Sequence, residues 1–163
     1  MANYFSITGM TTVMAEKYCS FGFFIFREND KKLELLLLKN GITSSLPMEY
    51  SIVKGGKEFR ENNLQAIWRE TYEEVRFTKN FLQILPIKPM TFSYKVTKNE
   101  TKVLKSVTAY FAFLVQDRVP VLSNEHLEFK YFTEKEIELS NISTFLKKPY
   151  LKAFQEINKH KID

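Results

Sequence analysis

Cysteine is nearly absent from this chain. Cys19 stands alone in 163 residues, which excludes an intrachain disulfide framework and fits a reducing compartment. Lying beside an apolar run, it reads as a small core residue and not as a nucleophile. No apolar stretch approaches the roughly 18 residues that suggest a membrane-spanning helix. The N-terminus lacks the basic-then-apolar order of a secretory signal, so the expected address is the cytoplasm. No internal repeat, linker or low-complexity stretch divides the sequence. One domain over 1–163 is expected, long enough to bury a core, with 1–16 as a poorly ordered N-terminal extension.

Aromatics and positive charge, by contrast, are plentiful. The chain carries 15 Phe, 8 Tyr and a formal charge of +5, a balance that suits an anionic partner. Most of the lysines need do no more than keep the protein in solution. No basic block shows the regular aromatic interleaving of a dedicated RNA-binding motif, and RNA stays open as a partner. The oligomeric state is not readable.

Against this basic background one acidic cluster stands out. Glu70, Glu73 and Glu74 fall at i, i+3 and i+4, the spacing of neighbours on one helical face. Like charges so placed destabilise a helix by a few tenths of a kcal/mol per pair. Either the helix is a glutamate-rich solvated face, or a cation sits among the carboxylates. Hard divalent ions such as magnesium take carboxylate and phosphate oxygens, so the second reading is a magnesium–phosphate site. At about 100° per residue, Leu64, Ile67, Trp68, Thr71 and Val75 make the apolar stripe, and the acids lie on a separate flank. Asn62 or Asn63 suits the N-cap. The pair Gly55-Gly56 is expected to use backbone conformations closed to other residues. A carbonyl of Lys54 or Gly55 would then join the carboxylates.

The remaining pattern alternates strands and helices. Phe21–Phe26 and Leu33–Leu38 read as strands joined by the polar turn Glu28–Lys32. Lys39–Met48 reads as loop, and Glu49–Val53 as a short strand entering the glycine pair. After the helix at Asn62–Val75 come strands at Leu82–Val96 and Val103–Val115 around the polar tip Thr97–Glu100, then one at Glu128–Phe132. Thr133 with Glu136 matches a capping box, and a last helix is expected from about Pro149, in its first turn. Mixed strands with helices on both faces make this an α/β protein, an α/β/α sandwich with a mixed sheet.

The stretch Gly55 to Phe77 resembles the Nudix box through Gly55, Glu61, Arg69, Glu70, Glu73, Glu74 and the apolar Phe77. Arg76 stands where that family has a glycine, which would end the helix in a left-handed turn. Outside the box the chain is similar to the asymmetric diadenosine tetraphosphate hydrolases, over about residues 19–155. The likeness runs through Cys19–Arg27, Leu33–Leu38, Lys54-Gly55, Lys105-Ser106-Val107 and Leu122–His126, and ends at Phe132. Where that subfamily has a tryptophan and two prolines before Lys-Gly, this chain has Tyr50 and Ile52-Val53.

The resemblance implies a Nudix fold and magnesium-dependent cleavage of diadenosine tetraphosphate to ATP and AMP, with manganese as a possible substitute metal. It implies metal ligation by Glu70, Glu73 and Glu74 with the Lys54 or Gly55 carbonyl. Glu70 is the first candidate for activating water and Glu125 its rival; Arg69 orients a carboxylate, and Glu61 with Gly56 anchors the loop. Tyr94 and Phe129 occupy the places of an adenine clamp, with sheet packing as the competing explanation for each. Lys105 would reach the bridging phosphates, or be a plain surface lysine. His126, a lone loop histidine, reads as structural, with contact to substrate as the alternative. Trp68 stays in the core. Two further classes remain: a Nudix hydrolase of capped RNA or diphosphoinositol polyphosphate, and a noncatalytic Nudix-like binding module, against which the intact box carboxylates argue.

Overall fold

The computed structural model describes residues 18–162, and the expected N-terminal extension at 1–16 lies outside them. Strands β1 (Cys19–Asn29) and β2 (Lys32–Asn40) form a hairpin. Its turn is only Asp30-Lys31, both left-handed with φ 48° and 64°, so it is shorter than the five-residue turn expected. Two successive positive φ values give the primed turn whose twist matches antiparallel strands.

The short strand expected at Glu49–Val53 is in fact two: β3 (Tyr50–Ser51) pairs with β2, and β4 (Val53–Gly55) pairs with β1. Gly22 permits the close approach of β4, because a Cβ there would lie 2.1 Å from the Val53 carbonyl oxygen. Helix α1 (Asn63–Val75) follows. The long strand expected at Leu82–Val96 is also divided, into β5 (Leu82–Ile84) and β6 (Met90–Lys98). Pro86 and Pro89 lie between them, and proline has no N–H to give to a ladder. Then come β7 (Thr101–Leu114), β8 (His126–Thr133), α2 (Glu134–Leu139) and α3 (Thr144–Ile162).

Both ends of α1 are set locally. Asn62 accepts from the Gln65 N–H at 2.8 Å, and Gln65 returns a bond to the Asn62 N–H at 2.9 Å, a reciprocal cap. At the other end Arg76 adopts φ 63°, ψ 24° and donates its N–H to the Tyr72 carbonyl. The left-handed exit is thus kept without the glycine. The Thr133–Glu136 capping box opens α2 as expected. Helix α3, however, begins at Thr144, and Pro149 lies inside it. The helix starts early because the Ser143 carbonyl accepts from Leu146 and Lys147, at 2.9 and 3.0 Å. The missing Pro149 N–H falls to the Phe145 carbonyl, and Phe145 is exposed, so water can take that bond.

The sheet is mixed: β1 and β7 run parallel and the other pairs antiparallel. Its central order is β3-β2-β1-β7-β5, with β8 on β2 and β6 on β7. Phe24, Phe26, Leu35 and Leu37 pack toward α3, while Phe23, Ile25, Leu36 and Leu38 pack toward α1. With both faces covered, these strands read as unbroken apolar runs without alternation. The result is the α/β/α sandwich. Among the described residues no helix is long and apolar enough to cross a membrane.

Candidate active site

Helix α1 does not follow the expected stripe throughout. Leu64 is exposed, and Glu74 takes a core-facing position beside Ile67, Thr71 and Val75. Seven residues separate Glu74 from Ile67, two helical turns, so the two share a face. A buried carboxylate needs partners. Here one Glu74 oxygen accepts the Lys54 N–H at 2.9 Å, and the other lies 3.2 Å from His126 Nε2. Burial still pushes the Glu74 carboxyl up to about 8, against the pull of the Lys54 charge. Trp68 is half-buried, edge-on to Phe23 with centroids 5.0 Å apart.

Glu70 sits one turn earlier, against the glycine strand. A Cβ on Gly55 would lie 1.9 Å from the Glu70 carboxyl carbon, so that space exists only because residue 55 has no side chain. No glycine among the described residues has positive φ. This corrects the expected role of Gly55-Gly56: Gly55 is needed for close approach and not for an unusual backbone. Burial raises the Glu70 carboxyl above its ordinary range, opposed by Arg69.

Arg69 is the hub of the outer side. Its guanidinium donates to Glu61 at 2.6 and 3.1 Å, to Glu70 at 2.9 Å, to Glu73 at 3.2 Å and to the Gly56 carbonyl at 2.7 Å. Glu61 also accepts the Glu58 N–H at 2.7 Å. Bonds from Arg69 hold the Glu61 carboxyl below the ordinary carboxylate range. Loop 56–62 is thereby tied to α1 through one side chain.

A cavity of about 670 Å³ opens beside the helix, with Glu70, Glu74, Glu125 and His126 facing Lys54, Lys98 and Lys105. Glu73 is not in this lining; it is exposed and bound to Arg69. Glu125 and His126 arrive from across the sheet, through the pairing of Asn40 with His126 and the Gly41 N–H donated to the Glu125 carbonyl at 3.0 Å. One ligand atom each from Glu74, Glu125 and His126 lie within 4.8 Å of one another. His126, expected to be structural, thus meets two carboxylates at the cavity. Burial, with the Lys54 charge, lowers its imidazole to about 4. Its buried Nδ1 has no hydrogen-bond partner among the described residues. Burial and the Lys54 charge also bring the Lys105 amine down to about 8.

Two expected substrate contacts are not brought together. Tyr94 is buried in the core on the α3 side, beside Phe92 and Phe145. Phe129 packs on the α1 side and lines a different, smaller cavity with Arg27 and Tyr131. Opposite faces of one sheet cannot form a clamp, so sheet packing accounts for both. Cys19 is likewise not core; it is half-buried at the cavity wall.

The donor set suits a divalent cation. Carboxylate oxygens are hard ligands of the kind magnesium takes, and the space against Gly55 holds one of them at the cavity edge.

The profile of the NUDIX domain matches residues 19–154. No curated protein matches the chain. Among solved structures, a C. elegans Ap4A hydrolase binary complex is 26% identical, with TM-score 0.73, covering 88% of this chain and 98% of that one. Two more share the fold. The E. coli dihydroneopterin triphosphate pyrophosphohydrolase is 20% identical, TM-score 0.61, covering 86% of this chain and 95% of its own. The NUDIX domain of Shewanella oneidensis NrtR with ADP ribose is 12% identical, TM-score 0.64, covering 85% and 86%.

Proposed function

Because this chain belongs to the Nudix family, we propose that it hydrolyses dinucleoside polyphosphates, cutting diadenosine tetraphosphate asymmetrically into ATP and AMP with magnesium bound. One observation carries the reading: the buried Glu74 and the half-buried Glu70 face Lys54 and Lys105 across a single cavity. Lone carboxylates or lone lysines would serve many ends, but the two together suit a polyphosphate sharing its charge with a cation. The likeness to the C. elegans Ap4A hydrolase supports the choice of substrate.

Glu70 and Glu74 would hold the ion, with the Lys54 or Gly55 carbonyl. Glu73 joins them only by giving up its bond to Arg69. When bound, the ion acidifies the attacking water and offsets charge on the phosphates. Lys54 and Lys105 neutralise the chain of phosphates, and Lys98 extends that basic wall toward the cavity mouth. Glu70 is well placed to take the proton of water, since Arg69 fixes the carboxylate through a charge-assisted bond. Glu125 stands beside Glu74 and His126 as the other acceptor. Arg69, Glu61 and Gly56 keep the glycine loop on the helix.

The test is incubation with diadenosine tetraphosphate and magnesium, with products separated by chromatography. ATP and AMP in equal amounts are expected. Two molecules of ADP, or no turnover, would overturn the proposal.

A further inference from the structure

A dinucleotide has bases as well as phosphates, and bases bind through flat apolar surfaces. With Tyr94 and Phe129 both packed elsewhere, the cavity lining holds two rings among the described residues, Tyr18 and His126, and His126 is engaged with Glu74. Resting on the reading of this cavity as a dinucleotide site, we infer that Tyr18 is the surface on which a substrate base stacks, and so a specificity-determining residue.

Its position suits the task. The Tyr18 carbonyl accepts the Ser106 N–H at 3.1 Å, and Cys19 pairs with Ser106 in parallel register. Tyr18 is therefore level with Lys105, one step back on each strand, and both residues line the cavity. A base on Tyr18 would place its attached phosphates beside the lysine. Tyr18 is half-buried, so its ring is anchored yet reachable.

The ring is also covered in a way that a substrate can exploit. Lys98 holds its amine 4.7 Å from the Tyr18 ring centroid. Lys98 is exposed, in β6 next to the Asn99-Glu100 turn, both of whose residues have positive φ. An exposed ammonium on a ring is a weak contact, and base stacking is the stronger one. A purine arriving on Tyr18 displaces the ammonium, which is then free for phosphate.

Binding of AMP and of ribose 5-phosphate, which lacks the base, separates this inference from the hydrolase reading because neither needs turnover. Calorimetry on the full chain with magnesium should show AMP binding about tenfold tighter. Tyr18→Leu should remove that gap and Tyr18→Phe should keep it. Lys98→Gln, a change at an exposed position, should weaken both ligands through the phosphate and leave the gap as wide or wider. Equal affinity of the two ligands for the wild-type protein, or no binding of either, overturns the inference. So does a gap that survives Tyr18→Leu or collapses in Lys98→Gln. A gap governed by Tyr18 in a protein that cleaves no dinucleotide would sink the hydrolase reading and leave this one standing.

Discussion

Helix α1 carries charge on two sides, and the two are handled in opposite ways. On the outer side Arg69 is met by Glu61, Glu70 and Glu73, and every bond is made within the protein. On the cavity side Glu74 is buried and Lys105 half-buried, and both are driven toward their neutral forms. The outer cluster is complete as it stands and holds a loop. The inner one is electrostatically expensive until an ion and an anion arrive, which is how binding sites differ from structural networks. Glu70 belongs to both, touching Arg69 on one side and filling the space above Gly55 on the other.

The difference should be largest in turnover. Glu74→Gln removes charge at the cavity, and a loss of kcat on the order of a hundredfold or more is expected. Gly55→Ala should do comparable damage by driving its methyl into the Glu70 carboxyl. Glu61→Gln weakens only the brace and should reduce kcat by about tenfold or less. Steady-state rates at saturating magnesium decide it. Equal losses at Glu61 and Glu74 would erase the distinction between the two sides.

Stability against pH comes next. With EDTA present, Glu74 folded titrates near 8 against an ordinary 4.5, so between those values the unfolded chain binds fewer protons and stability falls as pH rises. His126 works the other way between about 4 and 6.5, because there the unfolded chain binds more protons. The two offset each other up to pH 6.5. From 6.5 to 8 the raised Glu74 carboxyl sets the fall, with a limiting slope of about 1.4 kcal/mol per pH unit. Above 8 the lowered Lys105 amine reverses the sign up to its ordinary 10.5. Urea midpoints across this range should show the dip. Glu74→Gln should abolish the fall from 6.5 to 8, and a flat wild-type profile would contradict the burial argument.

These contrasts also explain what was legible in the sequence. The box, both ends of α1 and the α2 cap were readable because each depends on residues within a turn or two. The runs Phe23–Phe26 and Leu35–Leu38 announced strands covered on both faces. What escaped was decided at long range. Glu74 reads as one of three flank acids until Lys54, twenty positions earlier, supplies its N–H. His126 comes to Glu74 only through the β2–β8 register. Tyr94 and Phe129 looked alike as strand aromatics, and only the sheet's two faces separate them. Pro86 and Pro89 were local signals, and they mark the division of one long strand into two.

The smallest effect is expected at Arg76, where the sequence departs from its family and the structure does not. A non-glycine residue in the left-handed region costs roughly 1–2 kcal/mol, which Arg76→Gly would relieve. The same change loosens the unfolded chain by about 0.5–1 kcal/mol. It also removes the guanidinium from the Tyr72 ring, now 4.8 Å from its centroid, a contact worth about 0.5–1 kcal/mol at an exposed site. The terms nearly cancel, so Arg76→Gly should shift the unfolding free energy by less than about 0.5 kcal/mol. Arg76→Ala keeps the strain and loses the contact, and should destabilise by about 0.5–1 kcal/mol. The order of the two variants by urea denaturation is the check. A larger gain for glycine than this would mean that the Tyr72 contact does not offset the strain of the left-handed exit.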